Sequence, residues 1–178
     1  PDALGGVASE LAAAGVHVVA PRGPQRAGDG WAWWDPDGDE AGGAARAAEV
    51  LAELFADAAH RLGIGPSRWA AVGFSQGGAL ALAAALRPPA GFVLRAAVCV
   101  GGFLPAGPSP APAPGTPLDV LIAHGESDAE VDLAHAERAA RLAERAGARV
   151  AFELHPGGHL WPEALTARVL SWLEGLPA

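Results

Sequence analysis

Two periodicities take turns along this chain. Short apolar runs, bounded by Gly, Pro or charged residues, alternate with longer stretches whose apolar positions return every three or four residues. The first kind reads as buried strands at Val16 to Ala20, Trp69 to Val72, Arg95 to Gly101, Leu118 to Ala123 and Val150 to Leu154. The second reads as helices at Ala3 to Ala14, Ala44 to Leu62, Ala79 to Leu86, Asp132 to Ala146 and Pro162 to Leu176. Gly15 suits a helix stop, Pro21 ends the first strand, and Pro162 suits the first turn of the last helix. In the long helix, Val50, Leu51, Leu54, Phe55 and Leu62 are expected on the inner face. Residues 22–43 read as a long loop rich in Gly, Asp and Trp. Leu104 to Pro117 reads as a Pro/Ala-rich connector too poor in backbone donors for regular structure. Strands separated by helices require right-handed crossovers. The prediction is therefore an α/β fold in a single domain, 1–178, with a mostly parallel sheet flanked by helices on both faces.

Chemistry enters at the turn after the second predicted strand, Gly73-Phe74-Ser75-Gln76-Gly77. A serine between two glycines, with a strand before and a helix after, fits the G-x-S-x-G nucleophile elbow. Lacking Cβ atoms, Gly73 and Gly77 are both expected to let strand and helix approach closely. Such a turn pushes Ser75 Oγ out at the carboxyl end of the sheet, above a helix N-terminus that favours developing negative charge. The chain has 24 glycines, so the motif by itself arises easily by chance and its setting has to carry the weight.

A serine nucleophile needs a base, and the base needs an orienting acid; with this elbow they follow in the order Ser, acid, His. Asp128 falls on a loop just past a strand end, in His124-Gly125-Glu126-Ser127-Asp128. His159 falls on the next such loop, His155-Pro156-Gly157-Gly158-His159. Ser75, Asp128 and His159 thus lie in the right order at equivalent ends of successive strands. Asp132, Glu126 and Glu130 are rivals for the acid, and His155 for the base. Ser75 and Asp128 also have a plainer reading as helix N-caps. His124 reads as a structural ring that holds the Asp128 loop, and His17 and His60 as surface or helix-end residues.

A family resemblance rests on Pro21-Arg22-Gly23-Pro24, Trp31-Ala32-Trp33-Trp34-Asp35, Gly73-Phe74-Ser75-Gln76-Gly77-Gly78-Ala79, His124-Gly125 with Asp128, and Gly157-Gly158-His159. Together these look like the phospholipase/carboxylesterase family of α/β-hydrolases, the group that includes the acyl-protein thioesterases. The resemblance implies Ser75 as nucleophile, Asp128 as acid, His159 as base and the Gln76 backbone N–H as an oxyanion donor. It implies hydrolysis of carboxylic esters of short to medium acyl chains, with thioester or lysophospholipid hydrolysis as the alternative and a non-catalytic member of the fold as a reading of another class. The family begins with strands and a His-Gly loop that supplies a second oxyanion donor. Here the chain opens at Pro1-Asp2-Ala3-Leu4, so the first strands and that loop are expected to be absent and the chain to be N-terminally truncated.

Trp31, Trp33 and Trp34 sit together on the long loop. They read either as cover for the core or, with Phe103 and Trp161, as candidates for binding the substrate. The net charge of −8 argues against nucleic acid or an anionic membrane as partner; the partner that the resemblance implies is a small-molecule ester. Residues 69–86 carry Ser, Gln and several glycines, so this uncharged stretch reads as strand, turn and helix and not as a membrane span. Cys99 is the one cysteine and sits in the apolar run Ala96 to Val100, which reads as a buried thiol and permits no internal disulfide. No signal peptide is visible, but with the N-terminus expected to be missing that absence carries no weight; the expected location is cytoplasmic. No His, Cys and carboxylate cluster has ligand spacing, so neither a metal nor another cofactor is implied.

Overall fold

The computed structural model describes residues 3–65 and 68–177; Pro1, Asp2, Pro66, Ser67 and Ala178 lie outside the described residues. Helix α1 (Ala3–Ala13) leads into an antiparallel hairpin of β1 (Gln25–Ala27) and β2 (Gly30–Ala32). Then follow α2 (Glu40–Leu62), β3 (Ala70–Phe74), α3 (Gln76–Leu86), β4 (Ala96–Val100) and β5 (Asp119–Gly125). The chain continues through α4 (Leu133–Arg145), β6 (Arg149–His155) and α5 (Glu163–Glu174).

Strands β3, β4, β5 and β6 form a parallel sheet in sequence order. Every position of β4 and β5 is buried, as expected of inner strands covered on both faces. One face, with Ala97, Cys99, Val120 and Ile122, packs on α2, α3 and α4. The other, with Val98, Val100, Leu121 and Ala123, packs on Leu165 and Val169 of α5. Alternation of neighbouring residues between the two faces is the pleat of a strand read directly from burial. At the amino ends of the strands the Asp119 carboxylate accepts from Arg149 at 2.6 and 2.7 Å and also pairs with Arg95. This ties β5 to both neighbours opposite the carboxyl ends, where the candidate chemistry sits.

Four expectations need correction. Val16 to Ala20 is not a strand. Among the described residues nothing pairs with it, and Val16, Val18 and Val19 are exposed. A cavity of about 430 Å³ separates this stretch from the outer edge of β3. Apolar content satisfied the strand pattern, but a strand needs a ladder and this stretch has none. Second, residues 22–43 are not all loop, since they hold the β1–β2 hairpin, with Gly28 in the left-handed region at φ 56°. Third, the inner face of α2 is Gly43, Ala44, Ala47, Ala48, Leu51 and Phe55, whereas Val50, Leu54 and Leu62 are exposed. Leu51 and Phe55 are buried as expected, and the rest of the buried stripe is made by small residues that join the same core cluster as α3. Helix α2 also starts earlier than expected, at Glu40, because the Asp39 carboxylate caps it by accepting from Gly42 N at 3.0 Å.

Candidate active site

Ser75 sits between the last residue of β3 and the first of α3, at φ 52° and ψ −121°. It is the one described non-glycine residue with positive φ, a strained conformation that persists only where the surroundings enforce it. The enforcement comes from backbone packing. A Cβ on Gly73 would overlap the Gly77 carbonyl and lie 2.5 Å from Gly78 N. Gly77 differs from expectation. A Cβ there would meet nothing within 4 Å, so the close approach needs Gly73 to be bare and not both glycines. From just past the end of β4, a Cβ on Gly102 would lie 2.8 Å from the Ser75 carbonyl oxygen and 3.0 Å from Ala79 N, and Ser75 N donates to Val100 O at 2.8 Å. Ser75 is no ordinary N-cap, since its side chain makes no capping bond to α3 and turns elsewhere.

It turns to His159. Ser75 Oγ lies 2.9 Å from His159 Nε2, and His159 Nδ1 lies 2.8 Å from Asp128 Oδ2. With the imidazole proton on Nδ1, that N–H donates to the carboxylate and leaves Nε2 to accept from the serine hydroxyl. The Phe74 ring lies against the imidazole at a centroid distance of 4.8 Å, and Gly101, at φ 56°, leaves room for it. Two loops meet to make this arrangement. Ser127 N donates to Gly157 O at 2.9 Å, and a Cβ on Gly125 would overlap the carbonyl oxygens of Gly157 and Gly158.

The Asp128 side chain is fully buried. Burial pushes its carboxyl up. Hydrogen bonds from Val131 N–H, the His159 ring and Glu130 N–H outweigh that and hold it below the usual carboxylate range. The buried His124 ring reaches the same loop, its Nε2 2.8 Å from Val131 O and 3.4 Å from Asp128 Oδ2. It holds the Asp128 loop as its position in the sequence suggested. The rivals fall elsewhere. Asp132 caps α4 by accepting from Ala134 N at 2.8 Å, and Glu126 and Glu130 are exposed. His155 faces the interior with Nε2 unpartnered, and burial first, then the nearby His124, lowers its pKa. His17 and His60 are exposed. Cys99 is buried beneath the elbow and burial pushes its thiol up to about 12, so it stays protonated and inert.

Gln76 opens α3, so its N–H belongs to the unbonded first turn of a helix pointing at the serine. Its side chain does something the sequence did not disclose: Oε1 accepts from Trp33 N at 2.8 Å and Nε2 donates to Trp34 O at 2.9 Å. The candidate substrate residues scatter. Trp34 is only 3% exposed and packs in the main core against Gly43, which favours core cover for that side chain. Trp33 is half-buried on the cavity beside β3. Trp31 is exposed on β2, with the Arg22 and Arg26 guanidiniums 4.0 and 4.8 Å from its ring centroid. Phe103 is half-buried beside His135, and Trp161 donates from Nε1 to Thr166 Oγ1 at 3.0 Å. The cavity of about 430 Å³ lies alongside β3, and neither Ser75 nor His159 lines it. Phe74, Gly101 and Gly102 were not singled out from the sequence, although a Gly-Gly pair at the end of a predicted strand was a usable signal.

A sequence profile of the phospholipase/carboxylesterase family matches residues 8–174. No curated protein shows significant sequence similarity to the chain. Among solved structures, a Bacillus cereus carboxylesterase superposes with a TM-score of 0.83 at 20% identity, over 95% of this chain and 80% of that one. A Mesorhizobium loti carboxylesterase gives a TM-score of 0.78 at 26% identity, over 97% and 81%. Arabidopsis thaliana SOBER1 gives 0.71 at 25% identity, over 87% and 80%. These likenesses establish the α/β-hydrolase fold. Among the described residues no helix is long and apolar enough to cross a membrane.

Proposed function

Because this chain belongs to the phospholipase/carboxylesterase family, we propose that it hydrolyses carboxylic esters of short to medium acyl chains through Ser75, His159 and Asp128. The observation that carries this reading is the unbroken hydrogen-bond path from serine hydroxyl to imidazole to carboxylate, with links of 2.9 and 2.8 Å. His159 Nε2 takes the hydroxyl proton as Oγ attacks the ester carbonyl. Asp128 fixes the Nδ1–H tautomer and stabilises the imidazolium that forms. The Gln76 N–H donates to the oxyanion, and loss of one such donor typically costs ~10²–10³ in rate. The carbonyl–oxygen bond to the alcohol then breaks as the imidazolium returns the proton to the leaving oxygen. Water, activated by the same imidazole, releases the acid and restores Ser75. A chain-length series of aryl esters, set against acyl thioesters, tests the substrate class. Turnover should be highest on short and medium esters. Turnover favouring long-chain thioesters would assign the site to a thioesterase instead.

A further inference from the structure

The Gln76 side chain holds two backbone groups of a loop more than forty residues away, and nothing in the proposed role of its N–H as oxyanion donor calls for that. A neutral amide has one acceptor and one donor face, and here both are used, on backbone groups of two adjacent residues. The loop it holds has few other ties. Among the described residues, the β1–β2 hairpin that the loop carries makes its backbone ladder only with itself. Trp34 anchors the far end by burying its ring in the core. Between that anchor and the hairpin, the Gln76 amide is the described side-chain link from this loop to the nucleophile turn.

We propose that the Gln76 side chain is a positioning residue that fixes the Trp33–Trp34 backbone, and with it the Trp31 hairpin, as one wall of the substrate site beside Ser75. One residue then couples two parts of the reaction: its N–H meets the oxyanion while its amide sets how far the wall stands from the attacking oxygen. This rests on the esterase reading above, and it makes acyl-size selectivity, not only rate, a property of Gln76. Variants at this position keep the backbone N–H, so they separate the two roles. Gln76→Leu removes both amide bonds at similar volume. Gln76→Glu keeps the acceptor for Trp33 N–H but sets a carboxylate against the Trp34 carbonyl.

Two measurements on the full chain test it. Amide hydrogen exchange by NMR should show Trp33 N–H exchanging at least ~10-fold faster in Gln76→Leu and staying protected in Gln76→Glu, a readout that needs no activity. In kinetics, all variants should slow. The ratio of kcat/KM for a medium-chain over an acetyl ester of the same alcohol should fall by about 10-fold in Gln76→Leu and be partly restored in Gln76→Glu. Unchanged protection of Trp33 in Gln76→Leu, or equal loss on both esters, would overturn the proposal. If Gln76→Leu does not fold, loss of Trp33 protection in Gln76→Glu would likewise overturn it. A parent chain inactive on every ester would overturn the esterase reading, and the exchange result would still decide whether Gln76 clamps the loop.

Discussion

Gly73 and Gly77 meet backbone to backbone, and the contact leaves no room for a side chain on Gly73. The serine's strained φ of 52° depends on this contact, because relaxing the turn would move β3 off the start of α3.

Gly73→Ala should therefore damage both folding and site. The methyl would strike main chain, which cannot rotate away, so the loss should be about 3 kcal/mol. Gly77→Ala meets open space and should stay within about 1 kcal/mol of the parent, with helix propensity partly offsetting the change. Paired urea melts of the two variants check this; equal destabilisation would contradict it.

Asp128 makes a second prediction through pH. Its folded-state pKa lies below the ordinary value, so its ionised form is bound more tightly in the folded chain. That stabilisation is fully present above the unfolded carboxyl's pKa, at about 4, and is lost as pH falls through the depressed folded value. Asp128→Asn should thus be less stable than the parent at pH 7, with the difference shrinking toward pH 3. Activity should fall about 10⁴-fold at pH 7, because asparagine no longer enforces the Nδ1–H tautomer. Chemical melts at the two pH values and initial rates measure both effects. A stability gap that widens in acid would contradict the assignment.

His155 ends β6 and His159 lies on the loop that follows, and of the two only His159 bonds to Ser75 and Asp128. His159→Ala should lower the acylation rate by at least ~10², the lower bound for losing a general base. His155→Ala, at equal folded fraction, should stay within about tenfold of the parent. Stopped-flow acylation of both variants decides the matter, and a larger loss in His155→Ala would reverse the roles.

Ser75, Asp128 and His159 could be picked out from the sequence because each lies just past an apolar strand run, and a parallel sheet delivers such positions to one edge. Strands β4 and β5 were legible for the same reason, being apolar at nearly every position. The hairpin was not, because β1 is exposed throughout and shows no inside–outside alternation. Val16 to Ala20 misled because apolar content says nothing of whether a partner strand lies alongside. The face of α2 was legible at Leu51 and Phe55 but not at Ala44, Ala47 and Ala48, small residues that the eye passes over beside Leu54 and Val50. The Gln76 clamp joins residues more than forty apart, and no local pattern carries such a contact.

Whether Ser75 is the nucleophile of a serine esterase can be read directly by labelling the native chain with a fluorophosphonate and mapping the modified peptide. One adduct is expected, on Ser75, formed in step with loss of ester hydrolysis and slowed at least ~10² in His159→Ala. Ester hydrolysis that persists after Ser75 is fully labelled, or in Ser75→Ala, would show that the nucleophile lies elsewhere.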